Sequence, residues 1–392
     1  ECLLIYSNSC KLKGIRIPVS GLLEESDVRI DWEVPDTSGE IPVYFKTDNS
    51  ETDVPFDILA ASFYIVTEYE KYSKQVLDKH GRYLEVAYPS FEKGVHNLPV
   101  VQDYAELLWS KLTAMHPDLQ REDNAFSWEV GIDVDQPWAF LNKGWRGLAG
   151  GINDLIRTDF ENLKNRFRSW IKKEDPYHTF ADINALLPGK SLIYFFLLNH
   201  DSKYDSFFTY KSKAYKQLIT QLRESSPRLG IHPSYTSFLS KQAIKTEKSI
   251  LEEISRKKVN FGRQHYLRNR LPKTRQIYLE SGIFHDYNGC MIHACGFRNG
   301  MAIAFPWFDL SANEMTNLLV HPVMAMDVSL KDYMQLTPQE ALSRLRDMID
   351  ITRKYKGTFN LLWHNSSLSE IHGWQGWKDV FIEVVSELKR DT

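Results

Sequence analysis

The rhythm of hydrophobic and polar positions changes near residue 125. Before it, alternation in 1–7 and 40–47 predicts short strands, and helical spacing in 56–79 and 104–116 predicts helices. This part reads as a small α/β unit. The polar stretch 117–124 is the expected boundary, giving an N-terminal domain of 1–124 and a second domain of 125–392. From Phe126 onward, strand patterns ending near 134, 199, 231, 262, 285, 326 and 363 alternate with helix patterns. One long helix is expected over 151–173. Such alternation predicts a parallel sheet with helices outside it, either a barrel or a doubly wound sheet. The longest apolar run, Leu192–Leu198, falls far short of the ~20 residues of a membrane helix. It reads as a buried strand.

The strand ends carry the chemistry. Asp133 and Asp135 follow the first strand of the second region, His232 the third, and Arg263 with His265 the fourth. Asp286, Asp327 and His364 end later strands. In a parallel α/β barrel all those ends converge on one face, where active sites are found. Side chains alternate along a strand, so Asp133 and Asp135 share a side and can divide labour between base and metal ligand. Asp–His sets suit Zn²⁺ or a similar divalent ion, and an open coordination position activates water. His364 can protonate a leaving group. Together these parts describe metal-assisted hydrolysis.

Composition narrows the class. The 392 residues hold 48 basic and 51 acidic side chains, a formal charge of −3, which disfavours a nucleic-acid partner. Four cysteines, Cys2, Cys10, Cys290 and Cys295, are too few for a disulfide framework and read as buried thiols. His293 between the last two does not make a metal site, because an extended segment points the thiols to opposite faces. No leader pattern or membrane span is visible, so a cytoplasmic location is expected, or a periplasmic one if a leader has been removed. Phosphate-binding glycine loops and the serine-hydrolase elbow are absent from the sequence.

The order of motifs from about residue 126 resembles the NodB-homology polysaccharide deacetylases, the family 4 carbohydrate esterases. GIDVDQPW, GIHPSYTS, FGRQHY, GIFHDYNG and LLWHN stand in the family's order. The resemblance implies a distorted (β/α)7 TIM-like barrel that removes acetyl groups from sugars with a divalent metal, Zn most of all, with Co, Ni or Mn as alternatives. It implies Asp133 as base, Asp135 and His232 as metal ligands, Arg263 orienting the base, Asp286 supporting the catalytic histidine, and His364 as general acid. The whole chain resembles a divergent bacterial branch, associated with cell-surface polysaccharide, in which a smaller N-terminal α/β domain of unassigned role precedes the barrel. FDILAASFYIVTEYEKY and DKHGRY carry that part of the likeness.

One departure matters. Thr236 stands where the family's second metal histidine lies, and His265 stands where it carries a proline. His265 is therefore the candidate for the missing ligand, giving Asp135, His232 and His265. The competing expectation is a degenerate barrel that binds a glycan or a partner. Five basic residues in 263–275 suggest an acetylated sugar bearing an anionic group. Arg268 of that run, Arg298 between two glycines, Trp138 and Asp327 are the expected substrate contacts. Trp145, Trp307 and Trp363 are further candidates for stacking on sugar rings, set against the ordinary role of tryptophan in a core.

Overall fold

The computed structural model describes residues 4–8, 13–48, 51–122, 124–226 and 228–391; Cys2 and Cys10 lie outside them. Strands β1 (Leu4–Tyr6) and β2 (Ile15–Ile17) pair in parallel. Helices α1 (Ile58–Val66), α2 (Glu70–Ser73), α3 (Pro89–Glu92) and α4 (Val100–Met115) follow. Asp57 caps α1 by accepting from Ala60 N, and its other oxygen accepts from Tyr6 and Ser20. The helical pattern expected across 56–79 breaks at Glu68, whose φ is 57°. The strand expected at 40–47 makes only isolated bridges, Asp36 with Val43 and Lys46 with Phe56. Tyr44, Phe56, Tyr64, Val100 and Tyr104 form this segment's own core.

The remainder is built from β3 (Ser127–Val134), α5 (Trp145–Ile156), α6 (Phe160–Lys172), α7 (Phe180–Leu186), β4 (Leu192–Phe196), α8 (Lys213–Ser225) and β5 (Arg228–Ile231). Then come α9 (Lys241–Ser255), β6 (Phe261–Gly262), α10 (Lys273–Glu280), β7 (His285–Gly289), β8 (Phe305–Asp309), β9 (Glu314–Pro322) and β10 (Ala325–Met326). Helix α11 (Pro338–Lys354), β11 (Thr358–His364) and α12 (Trp377–Leu388) complete the chain. The capping residues sit where hydroxyls and carboxylates allow. Thr337 and Glu340 form a reciprocal capping box on α11 with Pro338 in its first turn. The single helix expected over 151–173 is two, because Thr158 (φ 55°) leaves the helix and Asp159 starts the next by accepting from Asn162 N.

The nine-stranded sheet runs β10-β11-β3-β4-β5-β6-β7-β9-β8, parallel throughout except for the β8–β9 pair. It curls as a half-barrel. The segment β9–β10 pairs with β7 at one end and with β11 at the other, so it reaches both sides of the curl. Strand β4 is buried along its whole length, as its continuous apolar run requires. Trp307 and Trp363 are fully buried in the core beneath the helices, which removes them as sugar platforms.

Candidate active site

Register brings the strand ends together. Parallel pairing sets His364 beside Asp133 and Asp133 beside Phe195, while β5 and β6 deliver His232 and Arg263 one residue beyond their ends. Side-chain alternation on β3 then aims Gly131, Asp133 and Asp135 to one side. Asp135, His232 and His265 each present a ligand atom within 4.8 Å of the others.

The hydrogen bonds behind these side chains fix which nitrogen faces the cluster. His232 Nδ1 lies 2.6 Å from the Arg263 carbonyl, which only accepts, so Nδ1 carries the proton and Nε2 points to Asp135, 3.3 Å away. His265 repeats the device, with Nδ1 2.9 Å from Asp205 Oδ1 and Nε2 3.5 Å from Asp135 Oδ2. This is the arrangement of histidines oriented for a metal, with the outer partner setting the tautomer. Asp135 Oδ1 is buried and has no hydrogen-bond partner. Two imidazole nitrogens and one carboxylate, with that orphaned oxygen among them, suit a borderline divalent cation. Electrostatics agree. Burial opposes charge on His265, but Asp135 and Asp205 raise its pKa to about 9. His265 and His232 hold Asp135 well below the usual carboxylate range against the penalty of burial. The His265 imidazolium balances this carboxylate charge, and a cation held at the same point would displace its Nε2 proton and do the same.

Asp133 is buried and accepts from Arg263 Nη1 at 2.7 Å. The guanidinium lies over the Phe195 ring at 4.2 Å and fits only because residue 131 is glycine: a Cβ there would stand 2.6 Å from Arg263 Nη2. Across the cleft, His364 Nδ1 lies 2.8 Å from Asp327 Oδ1, and the His364 backbone N–H donates to Asp327 Oδ2 at 2.8 Å. Its Nε2 is 3.6 Å from Asp135 Oδ2. Burial disfavours the imidazolium, yet Asp327 first, then Asp135 and Asp133, raise its pKa to about 10. The surrounding cleft adds Tyr177, Tyr266, Tyr333 and Trp374, and Arg82 from the N-terminal segment.

Several expectations need correction. Asp286 does not touch His364; it accepts from Arg275 Nε at 2.9 Å and from Asn288, while Asp327 supports the histidine instead of contacting substrate. The reason is strand order, since β10 neighbours β11 and β7 does not. Trp138 packs in the core against Phe208 and Tyr215 and does not line the cleft. Arg298 is half-buried and committed to Glu68 Oε1 at 2.7 Å and the Cys290 carbonyl at 3.1 Å. Arg268 is engaged with the carbonyls of His80 and Tyr235. Thus the four arginines of the basic run are spent within the protein, Arg268 and Arg270 on the 78–83 hairpin and Arg263 and Arg275 on Asp133 and Asp286, while Lys273 is exposed. Thr236 is exposed, and Cys290 and Cys295 are buried free thiols. No local pattern marked Asp205, which sits in an aperiodic loop, or Arg82 and Tyr177 as site residues.

Residues 2–117 match a family model described as a family of unknown function (DUF7033). No curated protein sequence matches the chain. Among solved structures the chain is similar to a proposed polysaccharide deacetylase from Mycobacterium smegmatis, with 13% identity and a TM-score of 0.44 over 69% of this chain and 86% of that one. It is also similar to a mutant CE4 family pseudoenzyme with restored enzymatic activity, at 11% identity and TM-score 0.35, covering 69% of this chain and 64% of that one. A 4-alpha-glucanotransferase from Thermococcus litoralis is similar at 12% identity and TM-score 0.40, over 68% and 38% of the two chains.

Proposed function

We propose that this protein is a metal-dependent deacetylase acting on an acetylated sugar or polysaccharide. The observation that carries the reading is the pair of histidines whose Nδ1 protons are committed to Arg263 O and Asp205, leaving both Nε2 atoms beside Asp135. Asp135, His232 and His265 would hold a divalent ion, which would supply Lewis acidity to the acetyl carbonyl and acidity to water. Asp133 takes the proton from the attacking water, and Arg263 on its other oxygen holds it in orientation. His364, charged at neutral pH, gives its Nε2 proton to the departing amine or hydroxyl. Asp327 accepts from Nδ1–H, which orients the ring and stabilises the imidazolium that donates from Nε2. The tyrosines and Trp374 offer flat apolar faces for a sugar ring beside the ion. Within this reading the fold is a deacetylase-type (β/α)7 barrel, with β9–β10 acting as one bent strand, and a separate domain up to residue 124.

Metal content and acetate release test it together. The purified full chain, loaded with zinc and desalted, is expected to retain about one ion and to release acetate from acetylated oligosaccharides. Asp133→Asn should keep the ion and lose turnover by at least about a thousandfold. His265→Ala should lose the ion. Full metal retention by His265→Ala removes it from the ligand set, and a wild-type chain that holds no stoichiometric ion points instead to a barrel that binds glycan without cleaving it.

A further inference from the structure

Helices α5 and α6 are packed inside out. On an ordinary surface helix the apolar stripe faces the core. Here the faces turned inward carry Gly147, Ser169 and the buried ion pair of Asp154 with Arg166 at 2.8 Å. The outward faces are apolar. Trp145, Ile152 and Ile156 on α5, and Phe160, Phe167 and Ile171 on α6, recur at the same spacing of seven and four. Trp145 is 73% exposed, Ile156 75% and Ile171 79%. A contiguous apolar face of this kind on a soluble domain marks an interaction surface.

Its charge identifies the partner. Between residues 145 and 174 exposed cations outnumber exposed acids by six to three, in a chain whose net charge is −3. Lys164, Arg168 and Lys172 repeat every four residues and form a basic stripe directly beside Phe160, Phe167 and Ile171. Long basic side chains can lay their stems along apolar surface while their charges reach headgroups. A protein interface core is instead depleted of lysine. The hairpin is also tied to the cleft: it follows the C-terminal end of β3, and Asn162 on α6 bonds His372, which bonds Tyr177 of the cleft wall.

We propose that the α5–α6 hairpin docks this protein on an anionic lipid surface, inserting its apolar face between headgroups and holding the cleft close to the bilayer. This is interfacial binding; no helix among the described residues is long and apolar enough to cross a membrane. The full chain is expected to co-sediment with vesicles of three parts phosphatidylcholine to one part phosphatidylglycerol, and much less with phosphatidylcholine alone. Binding should weaken as salt rises. Combining Ile152→Glu with Ile171→Glu should weaken binding to the mixed vesicles by about tenfold or more while leaving the thermal midpoint in place. If that variant folds poorly, Lys164→Glu with Arg168→Glu serves, and is expected to abolish the preference for anionic vesicles. A wild-type chain that stays in the supernatant with both vesicles overturns the proposal. So does a chain that sediments as a dimer and becomes monomeric in the isoleucine variant, because a second copy then covers this face. None of these readouts depends on metal or acetate release.

Discussion

Asp327, just past the end of β10, and Asp286, near the start of β7, are both fully buried carboxylates, yet only Asp327 reaches His364. Their replacements should therefore fail differently. Asp327→Asn removes the charge that holds the His364 imidazolium and is expected to lower kcat about a hundredfold, with the acidic-group pKa of the pH–rate profile moved down. Asp286→Asn leaves Arg275 buried beside Glu68 without its carboxylate and should cost about 3 kcal/mol of stability with kcat much less affected. Measuring kcat and the unfolding midpoint for both variants decides; equal losses of kcat would return Asp286 to the catalytic set. The gathering of Asp133, Asp135, His232, Arg263, His265 and His364 was legible because alternation marks where strands end, and parallel strands share an end. Which carboxylate stands behind His364 was not legible. That depends on β10 lying next to β11, a fact of sheet order that no local pattern carries. Asp205 was hidden for a related reason, since a loop has no period.

At the scale of the element, β3 shows how a strand can be shaped for the site. Its inward positions run Gly131, Asp133 and then Asp135, and the missing side chain at 131 is the space the Arg263 guanidinium fills. Gly131→Ala should push that group off Asp133 and lower kcat about a hundredfold, while metal affinity remains near that of the wild type. A small effect on kcat would mean that the guanidinium can move aside without releasing Asp133. The helix and strand types of the second region were readable from periodicity, as β4 and α9 illustrate. Breaks were harder. Thr158 and Asp159 interrupt a pattern that stays amphipathic on both sides, and the cap formed by Asp159 outweighs continuation of the helix. The N-terminal segment was read least well, since residues 40–47 alternate like a strand but find only isolated bridging partners.

At the scale of the whole molecule, two cores meet across a polar seam. Glu68 accepts from Arg298 and pairs with Arg275, Glu85 accepts from Ile292 N, and the His96 carbonyl accepts from Phe297 N at 2.7 Å. Glu70 and His96 line a cavity in this seam. Burial, and then Arg344, lowers the pKa of His96 to about 4, whereas burial raises that of Glu70 to about 7 despite its bond to Ser90. The signs are opposite. A depressed histidine contributes stability that is complete above its unfolded value of about 6.5 and is lost as pH falls toward 4. A raised glutamate contributes stability that is complete below its unfolded value of about 4.3 and is lost as pH rises through 7. His96→Phe retains a ring to stack on Phe91, so its midpoint relative to wild type should be higher near pH 5 than near pH 8. Glu70→Gln should show the reverse, gaining most near pH 8. Thermal unfolding of the three proteins at both values checks the pair, and midpoint differences that do not change with pH would mean that neither group titrates within the seam.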